Sequence, residues 1–236
     1  MLGVGEAYRY DRGQALIEST RPAPSAGSGQ AAGQERDRRD VDAREALVRA
    51  LPRVVADHGW AGASPARIAR DAGVPAQEFW DHFRSTEECF VVAYDRMLAR
   101  VTRTAIRSVA SRPLTIGSNA WLDQLDAIMT GVLAFFSLEP ALAKTCLVEV
   151  LEVGPVARAR RDEALARFAG YVEGLRLTHG EPMPPLAAEM IALGTIDLIY
   201  TRVARGEAEH LLDLLPELRD MWQASVDEQR TPPSRL

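Results

Sequence analysis

The chain has 236 residues, 47% of them hydrophobic and 26% charged, and a formal net charge of −5 from 28 basic and 33 acidic residues. Such a composition can bury a sizeable core, which excludes a disordered or fibrous protein. Aromatic residues make up only 6% of the chain, and the Ala-, Leu- and Val-rich remainder of the apolar set favours close-packed helices over a β-sandwich.

Charged residues interrupt the long apolar stretches of the sequence. The longest uncharged apolar stretch, Ala127 to Leu138, is shorter than the roughly 20 residues that cross a bilayer. The first segment, Met1 to Thr20, has charged residues interspersed throughout and lacks the apolar core of a secretory signal. The sequence therefore predicts a cytoplasmic protein without a membrane partner.

Neither the cysteines nor the histidines have the spacing of a metal site or a catalytic motif. Cys89 and Cys146 lie far apart and outside any CxxC pattern, and we interpret both as buried apolar residues. His58, His179 and His210 are equally isolated. No phosphate loop, nucleophile elbow or HExxH is present, so we expect no metal, no cofactor and no enzymatic activity.

Residues 1–41 are predicted to form a disordered extension. Arg21 to Gly33 is rich in Pro, Ser, Gly and Ala and has too few large apolar side chains to offset the entropy of ordering. The run from Glu35 to Asp42 interleaves arginines with acids. Two interpretations stay open for this run, a solvated linker or a basic arm that follows a phosphate backbone.

Three short helices are predicted over residues 42–86. The first carries an apolar stripe that includes Leu47 and Leu51 and stops at Gly59, and Pro52 within it predicts a kink. The second opens at the N-cap Ser64 and ends at Gly73. The third runs from Ala76 to Phe83, and two short helices joined by a glycine-containing turn are a helix-turn-helix.

A larger helical domain is predicted over residues 87–226, followed by a flexible tail at 227–236. Helical apolar spacing recurs through this region, broken at Pro113 to Ser118, Pro140, Gly154 and Gly180. The last two helices carry more apolar residues than one face requires, which predicts the dimer surface. Because no alternating strand pattern of useful length appears, the predicted fold class is all-α.

The order of residues from Arg44 to Tyr94 resembles the DNA-binding domain of the TetR/AcrR family of bacterial transcriptional regulators. The matching positions, without a gap, are Arg44, Leu47-Val48, Ala50-Leu51, Gly59, Ser64, Ile68-Ala69, Ala72-Gly73-Val74, Phe79-Trp80, His82-Phe83, Glu87 and Ala93-Tyr94. The resemblance implies a homodimer that places two recognition helices in successive major grooves of a pseudo-palindromic double-stranded DNA operator. It also implies a small-molecule effector and, most simply, a repressor.

The resemblance also assigns candidate DNA contacts. Ala76, Gln77 and Trp80 take the positions near base edges, and Gln77 can pair with adenine in a bidentate manner. The full set of candidates is Arg44, Ser64, Ala76, Gln77, Glu78, Trp80, His82 and Thr86. Glu78 stands where the family usually has Ser or Thr, and Thr86 stands where it usually has Lys. Both differences remove phosphate contacts. An alternative function is therefore a helical small-molecule binding protein with weakened or lost DNA binding.

Candidate effector contacts are the large or acidic side chains of the second domain. They are Trp121, Met129, Phe136, Glu149, Phe168, Tyr171 and Asp197. Each aromatic residue or methionine can equally belong to the core, and each carboxylate can be satisfied within the bundle.

Overall fold

The structure, a computed structural model, describes residues 26–112, 120–179, 183–184 and 186–227. Residues 1–25 of the predicted extension, the predicted break at Pro113 to Ser118 and residues 228–236 of the predicted tail lie outside this part. The chain divides into two units, Met1–Arg39 and Asp40–Leu236.

The described residues form helices and no strand, which confirms the all-α prediction. The helices in chain order are α1 Ala26–Gly62, α2 Pro65–Ala72, α3 Ala76–His82, α4 Thr86–Ala110, α5 Ala120–Leu138, α6 Pro140–Lys144, a π-helical turn Thr145–Glu149, α7 Val150–Val153, α8 Pro155–Thr178, α9 Ala187–Ala204, a 3-10 segment Ala208–Leu214 and α10 Leu215–Asp227.

Helix α1 begins earlier than the sequence predicts, but it is interrupted at the predicted Gly59. It begins at Ala26, whereas residues 26–41 were predicted to be disordered; the alanines, glutamines and arginines of this segment favour a helix, and its three glycines do not. Pro52 lies inside the helix, and the residue with non-helical angles is Gly59, at φ 68° and ψ 169°. The interruption is therefore at Gly59, which can adopt a positive φ.

The unit from Asp40 onward has one continuous core. Leu47 and Leu51 of α1, Phe79 of α3 and Phe90 of α4 are buried in the same apolar cluster as Leu125 of α5. The predicted boundary between residues 86 and 87 does not coincide with any break in this core.

Helix α5 is the one described helix that is long and apolar enough to cross a membrane. It packs against α4, the 3-10 segment and α10, and Trp121, Leu125 and Leu133 on it are fully or almost fully buried. We therefore interpret α5 as the central helix of the bundle.

Candidate nucleic-acid interface and ligand cavity

Helices α2 and α3 form the predicted helix-turn-helix. The Ser64 hydroxyl accepts a hydrogen bond from the Arg67 backbone N–H at 3.3 Å and caps α2. Gly73 ends α2 at φ 71°, a conformation that favours glycine. Ile68 of α2 and Phe79 of α3 are fully buried, so one face of α3 is fixed against the core and the opposite face is left to solvent.

The solvent face of α3 carries the candidate base contacts. Ala76 and Gln77 are exposed, and 55% of Trp80 is exposed although its ring packs edge-on against Phe79. Gln77 Nε2 is 3.5 Å from Asp81 Oδ1, a marginal hydrogen bond that leaves the amide free to turn toward a base. These residues can reach a groove without any rearrangement of the core.

The other DNA candidates are less accessible. His82 is mostly buried, and its Nε2 lies 3.6 Å from Glu78 Oε2, so the Glu78 carboxylate faces a histidine of its own helix and not Arg84. The Arg44 guanidinium lies over the Phe83 ring at 5.1 Å, which is a cation–π contact. Thr86 is half-buried in the first turn of α4.

Helix α4 starts from a well-formed cap. The Ser85 hydroxyl accepts from the Glu88 N–H at 3.1 Å, and the Glu88 carboxylate accepts from the Arg84 N–H at 2.7 Å. This reciprocal pairing fixes the end of α3 relative to α4. Arg96 of α4 also binds Glu45 of α1, and this hydrogen bond lowers the pKa of the Glu45 carboxyl below 4.5.

A cavity of about 620 Å³ lies among α4, α5, α8, α9 and the π-helical turn. That volume is within the range of small-molecule sites, which are concave and mainly apolar. Four of the predicted effector contacts, Met129, Phe136, Phe168 and Tyr171, line it. Tyr171 is 42% exposed, and its partial burial raises the pKa of its hydroxyl.

The other three predicted effector contacts lie outside the cavity lining. Trp121 is buried beneath the Arg176 guanidinium, which stands 4.8 Å from its ring centre. Glu149 accepts a hydrogen bond from the Trp60 backbone N–H at 2.8 Å and lies 3.8 Å from Lys144 Nζ. Asp197 is exposed on α9.

Several lining residues were not predicted from the sequence. Tyr94, Cys146 and Thr195 bring hydroxyl and thiol groups to the wall, and Arg161 and Arg167 bring charge. The sequence identified Tyr94 only as part of the apolar face of α4. That apolar face was the one sequence feature that could have indicated a cavity wall here. Burial raises the pKa of the Cys89 and Cys146 thiols to about 12, so both remain protonated and are poor nucleophiles at neutral pH.

Comparison with known proteins gives structural matches alone. No family model matches the chain, and no protein of curated function does. The fatty acid degradation regulator FadR of Bacillus halodurans is 18% identical, covering 76% of this chain and 93% of its own, at a TM-score of 0.63. A TetR-like transcriptional regulator from a Rhodococcus species is 20% identical, and the match covers 77% of this chain and 96% of that regulator at a TM-score of 0.59.

A third match was solved with a ligand. The transcriptional regulator FadR from Bacillus subtilis, in complex with stearoyl-CoA, is 17% identical, covering 77% of this chain and 98% of its own, at a TM-score of 0.63. The chain has the TetR-like fold. At these identities the likeness is one of fold, and within the TetR-like fold α2 and α3 are the helix-turn-helix and the cavity lies in the helical body behind it.

Proposed function

We propose that the protein is a cytoplasmic, ligand-responsive transcriptional repressor that binds a pseudo-palindromic operator as a homodimer. The observation that carries this proposal is the solvent face of α3, where Gln77 and Trp80 project from a helix whose other face is fixed by the buried Phe79. A helix held in this way can enter the major groove with its side chains already placed. The candidate contacts remain Arg44, Ser64, Ala76, Gln77, Glu78, Trp80, His82 and Thr86.

An exposed apolar row at the start of α9 can pack against a second copy of the chain. Leu186, Met190 and Leu193 follow one another at helical spacing and are 66%, 67% and 53% exposed. Exposed apolar rows of this kind mark interfaces, and a two-fold dimer is what a palindrome requires. We place the two-fold interface on this face of α9.

The π-helical turn is the element that couples the cavity to the DNA-binding helices in this proposal. Cys146 and Leu147 line the cavity. The neighbouring Thr145 hydroxyl is 2.8 Å from the Ala141 carbonyl of its own helix and 3.2 Å from the Pro52 carbonyl of α1, so its one hydrogen is shared between the two acceptors. Lys144 Nζ donates to the Ala56 carbonyl at 2.7 Å. A ligand that changes the conformation of this turn therefore changes the contacts of Lys144 and Thr145 with α1. Effector control needs such a difference in contacts between the two states.

Selection from random DNA with the purified protein tests the function. We expect enrichment of a pseudo-palindrome whose half-site centres lie about 34–36 Å apart, or a multiple of that spacing, with affinity that falls as salt rises. A Gln77→Ala, Trp80→Ala double variant is the control and should enrich nothing. Failure of the unaltered protein to enrich any palindrome contradicts the proposal.

A second candidate function is supported by the charge of α3. The helix carries Glu78 and Asp81 but no lysine or arginine, and carboxylates oppose approach to phosphates. A small-molecule binding protein without DNA binding would have the same cavity. Binding of cavity ligands combined with no salt-dependent, sequence-specific retention of DNA would favour this second function.

A further inference from the structure

The charged residues around the cavity have one sign. Arg161 and Arg167, both on α8, line it, and none of the lining residues is an aspartate or glutamate. Arg161 contacts Asp162 at 3.2 Å, its neighbour in the chain, whereas Arg167 is exposed and forms no ion pair within the part of the chain that the structure describes. A ligand that enters here meets two cations and no anion from the wall.

Arg161 lies toward one end of the cavity, and Arg167 follows six residues later on α8. Arg160, next to Arg161, is 4.0 Å from Asp95, which places this part of α8 beside Tyr94 at the start of the α4 wall. The opposite end is formed by Val109 and Ala110 of α4 with Ile128 of α5, all uncharged and apolar. The cavity is therefore polar at one end and hydrocarbon-like at the other.

The cavity is also long relative to its volume. Its α4 wall extends from Tyr94 to Ala110, a rise of about 24 Å at about 1.5 Å per residue. A volume of 620 Å³ spread over that length is narrow, which suits a single extended apolar chain.

We propose that the effector is an anionic amphiphile whose single long apolar chain lies along α4 and whose acidic headgroup is bound by Arg161 and Arg167. This inference rests on the proposed role of the cavity as the effector site and adds the ligand class and the two residues that select it. A carboxylate and the phosphates of an acyl-CoA share the chemistry that a guanidinium binds.

Calorimetric titration of the full-length protein with octadecanoate, stearoyl-CoA and the uncharged octadecanol tests the headgroup. We expect both anions to bind at least about tenfold more tightly than the alcohol, because a hydrogen bond to a charged group is worth roughly that factor or more. The tighter of the two anions identifies the source of the headgroup. Equal binding of octadecanol and the anions overturns the proposal.

Charge removal on α8 assigns the residues. Arg161→Gln and Arg167→Gln should each weaken binding of the preferred anion by about tenfold and leave octadecanol unchanged. Arg158→Gln is the matched control, because Arg158 is exposed on the same helix and does not line the cavity. Unchanged anion affinity in the Arg161, Arg167 double variant contradicts the assignment.

Chain length tests the apolar end. Val109→Trp should fill that end and shift the preferred ligand from octadecanoate to a shorter chain such as decanoate, with the preference for anions retained. An unaltered length preference overturns the proposed orientation of the chain. These titrations use no DNA, so a protein that selects anions but enriches no palindrome keeps this inference and loses the proposed repressor function.

Discussion

Neighbouring side chains in this protein differ in whether they pack in the core or face solvent. Phe79 and Trp80 are adjacent on α3, yet Phe79 is fully buried and Trp80 is 55% exposed. Glu149 lies among apolar neighbours in the sequence, but its carboxylate accepts the Trp60 N–H and so satisfies a backbone donor near the Gly59 interruption of α1. Its role in the structure is to join α1 to the π-helical turn.

Gln77→Ala tests direct base readout at the residue scale. Loss of a bidentate contact to adenine should cost about 1–3 kcal/mol and relax the sequence preference at one position of each half-site. Fluorescence anisotropy with the selected operator and with single-base variants measures both effects. Gln124→Ala on α5 is the control, and an equal loss on every sequence would show that Gln77 contacts no base.

Glu45 and Arg96 supply a pH-dependent contact between α1 and α4. Because the pKa of Glu45 is lowered in the folded protein, its contribution to stability is present above its ordinary value of 4.5 and is lost as pH falls through the folded value. The pair is partly exposed, so Glu45→Gln should cost less than about 1 kcal/mol at pH 7. Urea unfolding should show that this cost shrinks at acidic pH, and a cost independent of pH would contradict the pairing.

At the scale of elements, local signals predicted the helix-turn-helix and long-range contacts decided the remainder. Ser64 and Gly73 act through bonds to residues three or four positions away, so sequence spacing alone locates α2. The π-helical turn forms where Thr145 meets the Pro52 carbonyl, a contact between distant segments that no periodicity encodes. The cavity could not be predicted for the same reason. The sequence shows that one face of α4 is apolar, but the empty space beside that face depends on the positions of α8 and α9.

Thr145→Val tests the π-helical turn as the coupling element. The substitution removes the hydroxyl that contacts the Pro52 and Ala141 carbonyls while keeping the side-chain volume, so effector affinity should change little. The effector-dependent loss of operator affinity should shrink by about 2–10-fold, the value of one hydrogen bond. Thr178→Val on α8 is the matched control, since its hydroxyl bonds only to its own helix, at Gly174; unchanged coupling in Thr145→Val would exclude the turn.

The whole molecule combines an acidic total with a nearly balanced helix-turn-helix region. Residues 36–86 hold nine arginines and eight acids, and Arg53 is paired with Asp71 while Arg44 lies over Phe83. Two of the nine arginines are thus engaged within the protein, and the eight acids offset the charge of the others, so we expect operator affinity to depend on dimeric fit.

Met190→Asp tests that dependence. A carboxylate in the exposed row of α9 should be costly to bury in a two-fold interface, converting a dimer to a monomer in sedimentation experiments and reducing operator affinity by at least about 100-fold. Leu138→Asp is the control, because Leu138 is 82% exposed at the end of α5. A monomeric unaltered protein, or a dimeric variant, would remove the interface from α9.

The charged run before the helix-turn-helix is tested at the same scale. Removing residues 1–39, one of the two units of the chain, should lower the salt dependence of operator binding by about one per lost phosphate contact. An unchanged slope in anisotropy titrations would make this segment a solvated linker.

Helix α4 serves two tasks at once, since its first turn fixes α3 and its remaining length forms the cavity wall, whereas α8 supplies the charged residues of that wall. A substitution on α4 that alters the cavity also risks the position of α3. Substitutions at Arg161 and Arg167 on α8 leave the first turn of α4 unchanged. Under the proposed function, descendants of this gene can therefore acquire new effectors through these positions while keeping their operator, and divergence among its close relatives should be greatest there.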